Sequence, residues 1–467
     1  MIGPALSLEL RTLLRSPMRM LVLVLTLGVG LFVAVQGQAD VERWNGAIEA
    51  ARAEQDESLE EARTCFAEDR KGPEDRPWID LSRARWQDWY AATRLVRDPA
   101  PLAGIAFASP EAGAVAVRIN RFADPHLAQG VSIENPELAA AGGLDLVTVL
   151  TLLLPLLILA LGVELGGQER ASGILPLLRV QSGRDRAWIV WRCVAVGMIG
   201  VATGLALAMT AAIMGSADLT SVLGLCALVL VYGAVWTGIL MAVALLARSP
   251  SQGAVACGSI WIALCVLVPA VGVERTAGIA AGDFALDLTV DARDAGHALE
   301  DLDDEELIAA LLQRFPNLAG EEPEDPSQAA RVARQGLRIV ALEERTEHRE
   351  ELAAALSGLI RGMSLASPAV AFTHGLERLA GRGPEATQAY RRAVVAAAAD
   401  RMENYVAATW SGAPLGAEEF EQLHAETPER VEALVGLPLR ELAVLGAWLL
   451  LLLAWAAAMP TGRSART

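Results

Sequence analysis

Six apolar runs constrain this chain more than any other feature. Met18–Val35, Leu144–Val163, Trp188–Gly215, Ser221–Ala247, Gly253–Val273 and Leu439–Met459 are each long enough, or nearly so, to span a bilayer. Crossing takes about 20 predominantly apolar residues in helical form. Hydrocarbon offers no water to backbone N–H and C=O groups, so such runs are helices that satisfy their own backbone. A buried core helix explains one run of this kind, not six. The expected fold class is an all-α integral membrane protein with six transmembrane helices.

The first run also has the layout of a signal peptide, with Arg11, Arg15 and Arg19 before an apolar core and small residues after it. We read it as an uncleaved span, because the segment before it, ALSLELRTLLRSP, places Leu6, Leu10, Leu13 and Leu14 on one helical face. Such a helix lies along the membrane interface. A signal peptide does not need one.

Charge then orients the spans. The chain carries a net −17 while 53% of its residues are hydrophobic, so these two numbers describe different parts of it. Residues 37–143 hold 19 acidic and 12 basic groups, and residues 273–440 hold 30 and 16. The short loops carry the arginines: Arg15 and Arg19; Arg170, Arg179, Arg184 and Arg186; Arg248; Arg463 and Arg466. All fall on one side if both termini are cytoplasmic, as the positive-inside rule expects. Two mainly helical extracytoplasmic insertions then lie between spans one and two and between spans five and six. The expected organisation is 1–36, leading helix and span one; 37–143, first extracytoplasmic domain; 144–272, spans two to five with the loop 164–186; 273–438, second extracytoplasmic domain; and 439–467, span six and a short tail. The location expected is a bacterial inner membrane.

Within the polar segments, VERWNGAIEAARAEQDESLEEARTCFAED and LSRARWQDWYAATRLVRD read as helices, as do 327–363, a stretch opening at Asp303–Glu306, one opening at Ser367–Pro368, and Tyr390–Trp410. Gly381–Pro384 reads as a turn.

Motifs for chemistry are sparse. There is no GxxxxGK[ST] phosphate loop, no HExxH, CxxC or GxSxG motif, and four of the five cysteines lie in apolar runs. His374 and Glu377 share a helix face but are too few to hold a metal. They read as solvated surface, as do His126, His297, His348 and His424. The spans hold almost no interior ionisable residue, Arg192 near one end reading as a snorkelling side chain. That weighs against ion-coupled transport. No catalytic residue and no metal site is expected.

One loop stands out. Residues 164–182 combine Glu164, Glu169 and Arg170 with Gly173 and an apolar ridge of Ile174, Leu175, Leu177 and Leu178. A short amphipathic helix of this kind fits the groove of a soluble partner or rests on lipid; the residues alone do not separate these readings.

At these residues the chain resembles the permease subunits of type-2 ABC transporters (the ABC-2 family): an acidic residue, Glu-Arg, a spacer, Gly and an apolar ridge. The LeuArgSerPro leader, AlaArgSerProSer at 247–251, Asn135–Pro136 and Pro155 are similar to family features, and Ser367–Phe372 with Leu379–Gly381 to a subfamily with two large insertions; Pro176 departs from the pattern. The resemblance implies the permease subunit of an ATP-driven exporter. It implies coupling through Glu164, Glu169, Arg170, Gly173, Ile174, Leu175 and Leu178. Its partners would be ABC ATPase subunits, a second permease chain, identical or paralogous, and membrane lipid, with no nucleic acid. No cofactor would bind this chain; ATP and Mg would sit on the ATPase. The alternative is a membrane-anchored interaction or sensor protein presenting helical extracytoplasmic domains.

Overall fold

A computed structural model describes residues 2–107, 115–120, 143–175, 180, 185–279, 284–318, 326–340, 343–410, 414–425 and 429–458. Six helices among them are long and apolar enough to cross a membrane: Pro17–Ala67, Leu146–Ala171, Arg186–Met214, Leu219–Leu246, Pro250–Arg275 and Leu439–Ala458, here spans 1 to 6. Two-thirds of the apolar window is buried in spans 2 and 4, against 22%, 11% and 17% in spans 1, 5 and 6. Spans 2 and 4 therefore form the centre, with span 3 against both and the others at the periphery. Lipid tails are as apolar as leucine, so what holds these helices together is close packing. Gly200 and Gly204 of span 3 let it approach Ile158 and Leu154 of span 2 and Val229 of span 4.

Spans 2 and 5 each contain one π-helical turn, Val149–Leu153 and Ala263–Leu267. A π turn shifts backbone bonding from i+4 to i+5, a local irregularity within an α-helix. Here Tyr232 Oη donates to the Thr151 carbonyl at 2.7 Å, Trp261 Nε1 to Leu152 at 3.1 Å, and Ser367 Oγ to Leu264 at 2.6 Å. Ser367 also caps the helix Pro368–Leu379 through the N–H groups of Ala369 and Val370. That helix is too short to span a bilayer, yet it packs into the bundle core, its Phe372 ring stacked on Tyr232 with centroids 4.0 Å apart.

Span 1 and the first polar helix are one continuous helix, Pro17–Ala67. The stretch after Leu81 is not all helix. Ala84–Tyr90 is followed by strand β1, Thr93–Arg97. β1 pairs antiparallel with β2, Ala116–Ile119, and parallel with β3, Arg430–Val431. The expected helix gives way because Leu95 and Val96 are buried by strands and helices from both polar segments. Residues 327–363 are described as two helices, Pro326–Val340 and Glu343–Ala366.

The two polar segments pack on each other. Besides β1–β3, Gln55 donates to Glu429 at 2.8 Å, and Arg63 grips Glu421 with two bonds of 2.6 and 3.0 Å. Arg401 meets Asp88 at 2.9 Å, both fully buried. Two histidines expected at the surface are inside. His374 lies within the bundle core, 3.9 Å from Glu377, and His424 lies between the carbonyls of Phe420 and Ala91 at 2.8 and 2.6 Å. Both sit on faces that look polar in sequence and are covered by segments remote in the chain. Burial and the Arg401 charge hold the His424 pKa below its ordinary value, against the pull of those carbonyls.

Candidate coupling site

The turn near the end of span 2, after the helix Leu154–Gly162, contains two glycines whose role the sequence did not suggest. Gly166 has φ of +76°, and a Cβ there would lie 1.9 Å from the Ala244 carbonyl oxygen; one on Gly167 would lie 2.6 Å from the Ser249 backbone. Both positions thus bring the turn against the backbone linking spans 4 and 5. The pair Gly166–Gly167 was the available signal. The short helix Gly167–Ala171 follows.

Glu169 and Arg170 point inward, in different directions. Arg170 donates to the carbonyls of Ala244 at 2.8 Å, Leu245 at 2.8 Å and Ala247 at 2.5 Å. These are carbonyls at the end of span 4, where a helix leaves acceptors unpaired and carries partial negative charge. Glu169 is 6% exposed. One of its oxygens accepts from the Gly166 N–H at 2.5 Å, and the other from Arg192 of span 3. Arg192 is therefore paired rather than snorkelling.

Arg192 continues the network to a residue that sequence reasoning missed. Its Nε reaches Glu9 of the leading helix, Ile2–Arg15, at 2.5 Å. Glu9 is 2% exposed, and Arg19 of span 1 stands 3.8 Å from it and 2.9 Å from Glu164. The inward stripe of the leading helix is Ala5, Glu9 and Leu13, while Leu8, Leu10 and Leu14 face out. An acid at i+4 between two buried positions was the signal for Glu9, and it is legible only once Arg192 lies opposite.

The expected residues thus separate. Glu169, Arg170 and the buried Leu175 hold the turn in place; Gly173 and Ile174 are exposed at its tip, and the Glu164 side chain is 60% exposed. Gly173 has φ of +73° with open space around it. Pro176, Leu177 and Leu178 lie outside the described residues, as do Asn135–Pro136. No group of three or more metal-ligating side chains occurs among the described residues.

Comparison with protein families gives one match, to the model described as "ABC-2 family transporter protein", over residues 5–458. The chain belongs to the ABC-2 family. The match covers the leading helix, all six spans, both polar segments and the turn at 164–175. This ABC-2 chain is a multi-pass membrane protein, the permease subunit of an ABC transporter, and the family partners with an ABC ATPase. Comparisons with curated proteins and with solved structures returned no match.

Proposed function

We propose that this permease belongs to an exporter in which the coupling loop 164–186, through the turn at 164–175, receives the motion of the ATPase and passes it to the bundle. ATP and Mg would act on the partner ATPase, and a second permease chain would complete the pathway. In this reading the end carrying the leading helix faces the cytoplasm of a bacterial inner-membrane protein, and the joined polar segments face outward. The concentration of arginines at the leading-helix end supports that orientation.

One observation carries the proposal: the turn is tied by charged groups to three other elements. Arg170 binds the end of span 4, Glu169 binds span 3 through Arg192, and Arg192 binds the leading helix through Glu9. Displacing the exposed tip at Gly173–Ile174 would therefore load all three together. A coupling role needs such a differential contact between two states of the bundle.

The test is co-purification with the cognate ATPase, plus transport and hydrolysis measured in the same vesicles. Ile174→Asp should weaken ATPase association. Arg170→Gln should leave association intact while hydrolysis continues with reduced transport per ATP. Unchanged association in the first variant and unchanged coupling in the second would overturn the assignment.

A further inference from the structure

A slot of about 330 Å³ opens beside this network between spans 1, 2 and 5. Its lining includes Arg19 and Val22 of span 1, Leu156 and Ala160 of span 2, and Gly258 and Trp261 of span 5. Arg19 is its one charged group. The Trp261 indole N–H is directed to the Leu152 carbonyl, so its ring presents carbon to the slot. The slot therefore carries charge at one end and hydrocarbon along the rest, the polarity of a lipid molecule. Its volume falls at the lower end of the roughly 300–1,000 Å³ typical of ligand pockets.

The setting selects the occupant. Leu156 is 40% exposed and the neighbouring Met18 69%, so the mouth opens sideways, toward the bilayer. Spans 1 and 5 bury little of their apolar windows within the chain, so this flank offers apolar surface to a bilayer. An apolar void left empty forfeits dispersion contacts along its lining, and in a bilayer a fatty-acyl chain is an apolar group at hand to fill it. At the same end of the bundle, the described residues 2–19, 164–175, 185–192 and 247–251 contain seven arginines against four carboxylates. Basic clusters beside a membrane surface attract anionic headgroups.

We propose that this slot holds one acyl chain of an anionic phospholipid, its headgroup phosphate beside Arg19. Because Arg19 also contacts Glu164 at 2.9 Å and Glu9 at 3.8 Å, the bound lipid touches the network that fixes the turn. The site stands on the slot and its charge, independently of any coupling role. Its test therefore reads lipid and not transport.

Gly258 and Gly28 supply matched variants. A Cβ at either position meets nothing within 4 Å, so both accept a side chain without a backbone clash; Gly258 lines the slot and Gly28 of span 1 does not. The full chain, washed free of lipid in detergent, is offered equal phosphatidylglycerol and phosphatidylcholine of the same acyl composition, and retained lipid is counted by native mass spectrometry. Wild type and Gly28→Leu should each hold one phosphatidylglycerol per chain. The preference over phosphatidylcholine should be about fivefold, roughly what one basic side chain near an anionic headgroup supplies. Gly258→Leu should lose that lipid, and Arg19→Gln should hold a lipid without headgroup preference. Equal retention by Gly258→Leu and wild type, or equal loss in both leucine variants, would show only unspecific boundary lipid and overturn the site. Equal retention of the two phospholipids by wild type would overturn the headgroup assignment.

Discussion

Arg192 is the most informative residue to change. It joins two carboxylates that are otherwise hidden from water, Glu9 with a side chain 1% exposed and Glu169 with one 8% exposed. Methionine has similar length and no charge, so Arg192→Met keeps much of the packing and removes the counter-ion. Glu9 is then left with Arg19 at 3.8 Å, and Glu169 with the Gly166 N–H. Taking one partner from a buried ion pair costs about 3–5 kcal/mol, because the remaining charge stays buried without compensation. Glu164→Gln is the contrast. Its carboxylate is 60% exposed, and exposed pairs contribute at most about 1 kcal/mol. The triple variant Glu9→Gln, Arg192→Met, Glu169→Gln removes every charge stranded by the single change. It should recover most of the loss, since replacing a whole buried ionic group by neutral side chains is often close to neutral. Unfolding in mixed micelles, followed by tryptophan fluorescence, gives the free energies, and proteolysis after residue 170 reports on the turn. A loss below about 1 kcal/mol for Arg192→Met, or a triple variant no more stable than the single one, would refute the reasoning, since contacting residues should show a large interaction energy.

Three further predictions follow from local geometry. Gly166→Ala combines a positive φ with a backbone clash, whereas Gly173→Ala has the positive φ alone; the second should cost about 1–2 kcal/mol and the first clearly more. Tryptic sensitivity of the turn and thermal unfolding rank them. Tyr232→Phe removes the 2.7 Å bond to Thr151 but keeps the stack on Phe372, so it should cost about 1 kcal/mol, and Tyr232→Ala about 3–5 kcal/mol. Acid should loosen the polar body through His424: its folded-state pKa is lowered, so the unfolded chain takes up the proton first. Stability is present above the unfolded value of about 6.5 and falls as pH drops below it. His424→Gln should flatten that part of the pH profile of unfolding, read by tryptophan fluorescence.

Some of this architecture was legible in the residues because the physics behind it is local. A run of about 20 apolar residues has one solution in hydrocarbon, and all six runs became helices long and apolar enough to cross. The helix opening at Asp303–Glu306, the Ser367–Pro368 helix start and the turn at Gly381 were equally readable, since each depends on neighbours within a few positions. TRLVR was not read as a strand: one of its two partners, β3, lies more than 300 residues further on, and the sheet forms only in the folded chain. His374 looked solvated because its own helix shows a polar face, and only packing against spans 4 and 6 and the π turns buries it.

The coupling site divides along the same line. Composition and order alone placed a charged, glycine-containing turn after span 2 and marked Glu169 and Arg170 within it. Tertiary structure decided that these two side chains serve the interior, that Ile174 stands at the tip, and that Glu9 and Arg192 belong to the same unit. The reason is electrostatic and spatial. A buried charge is tolerated only beside a partner. Here the partners come from the leading helix, span 1, the turn and span 3, up to 183 residues apart, so no local pattern records them.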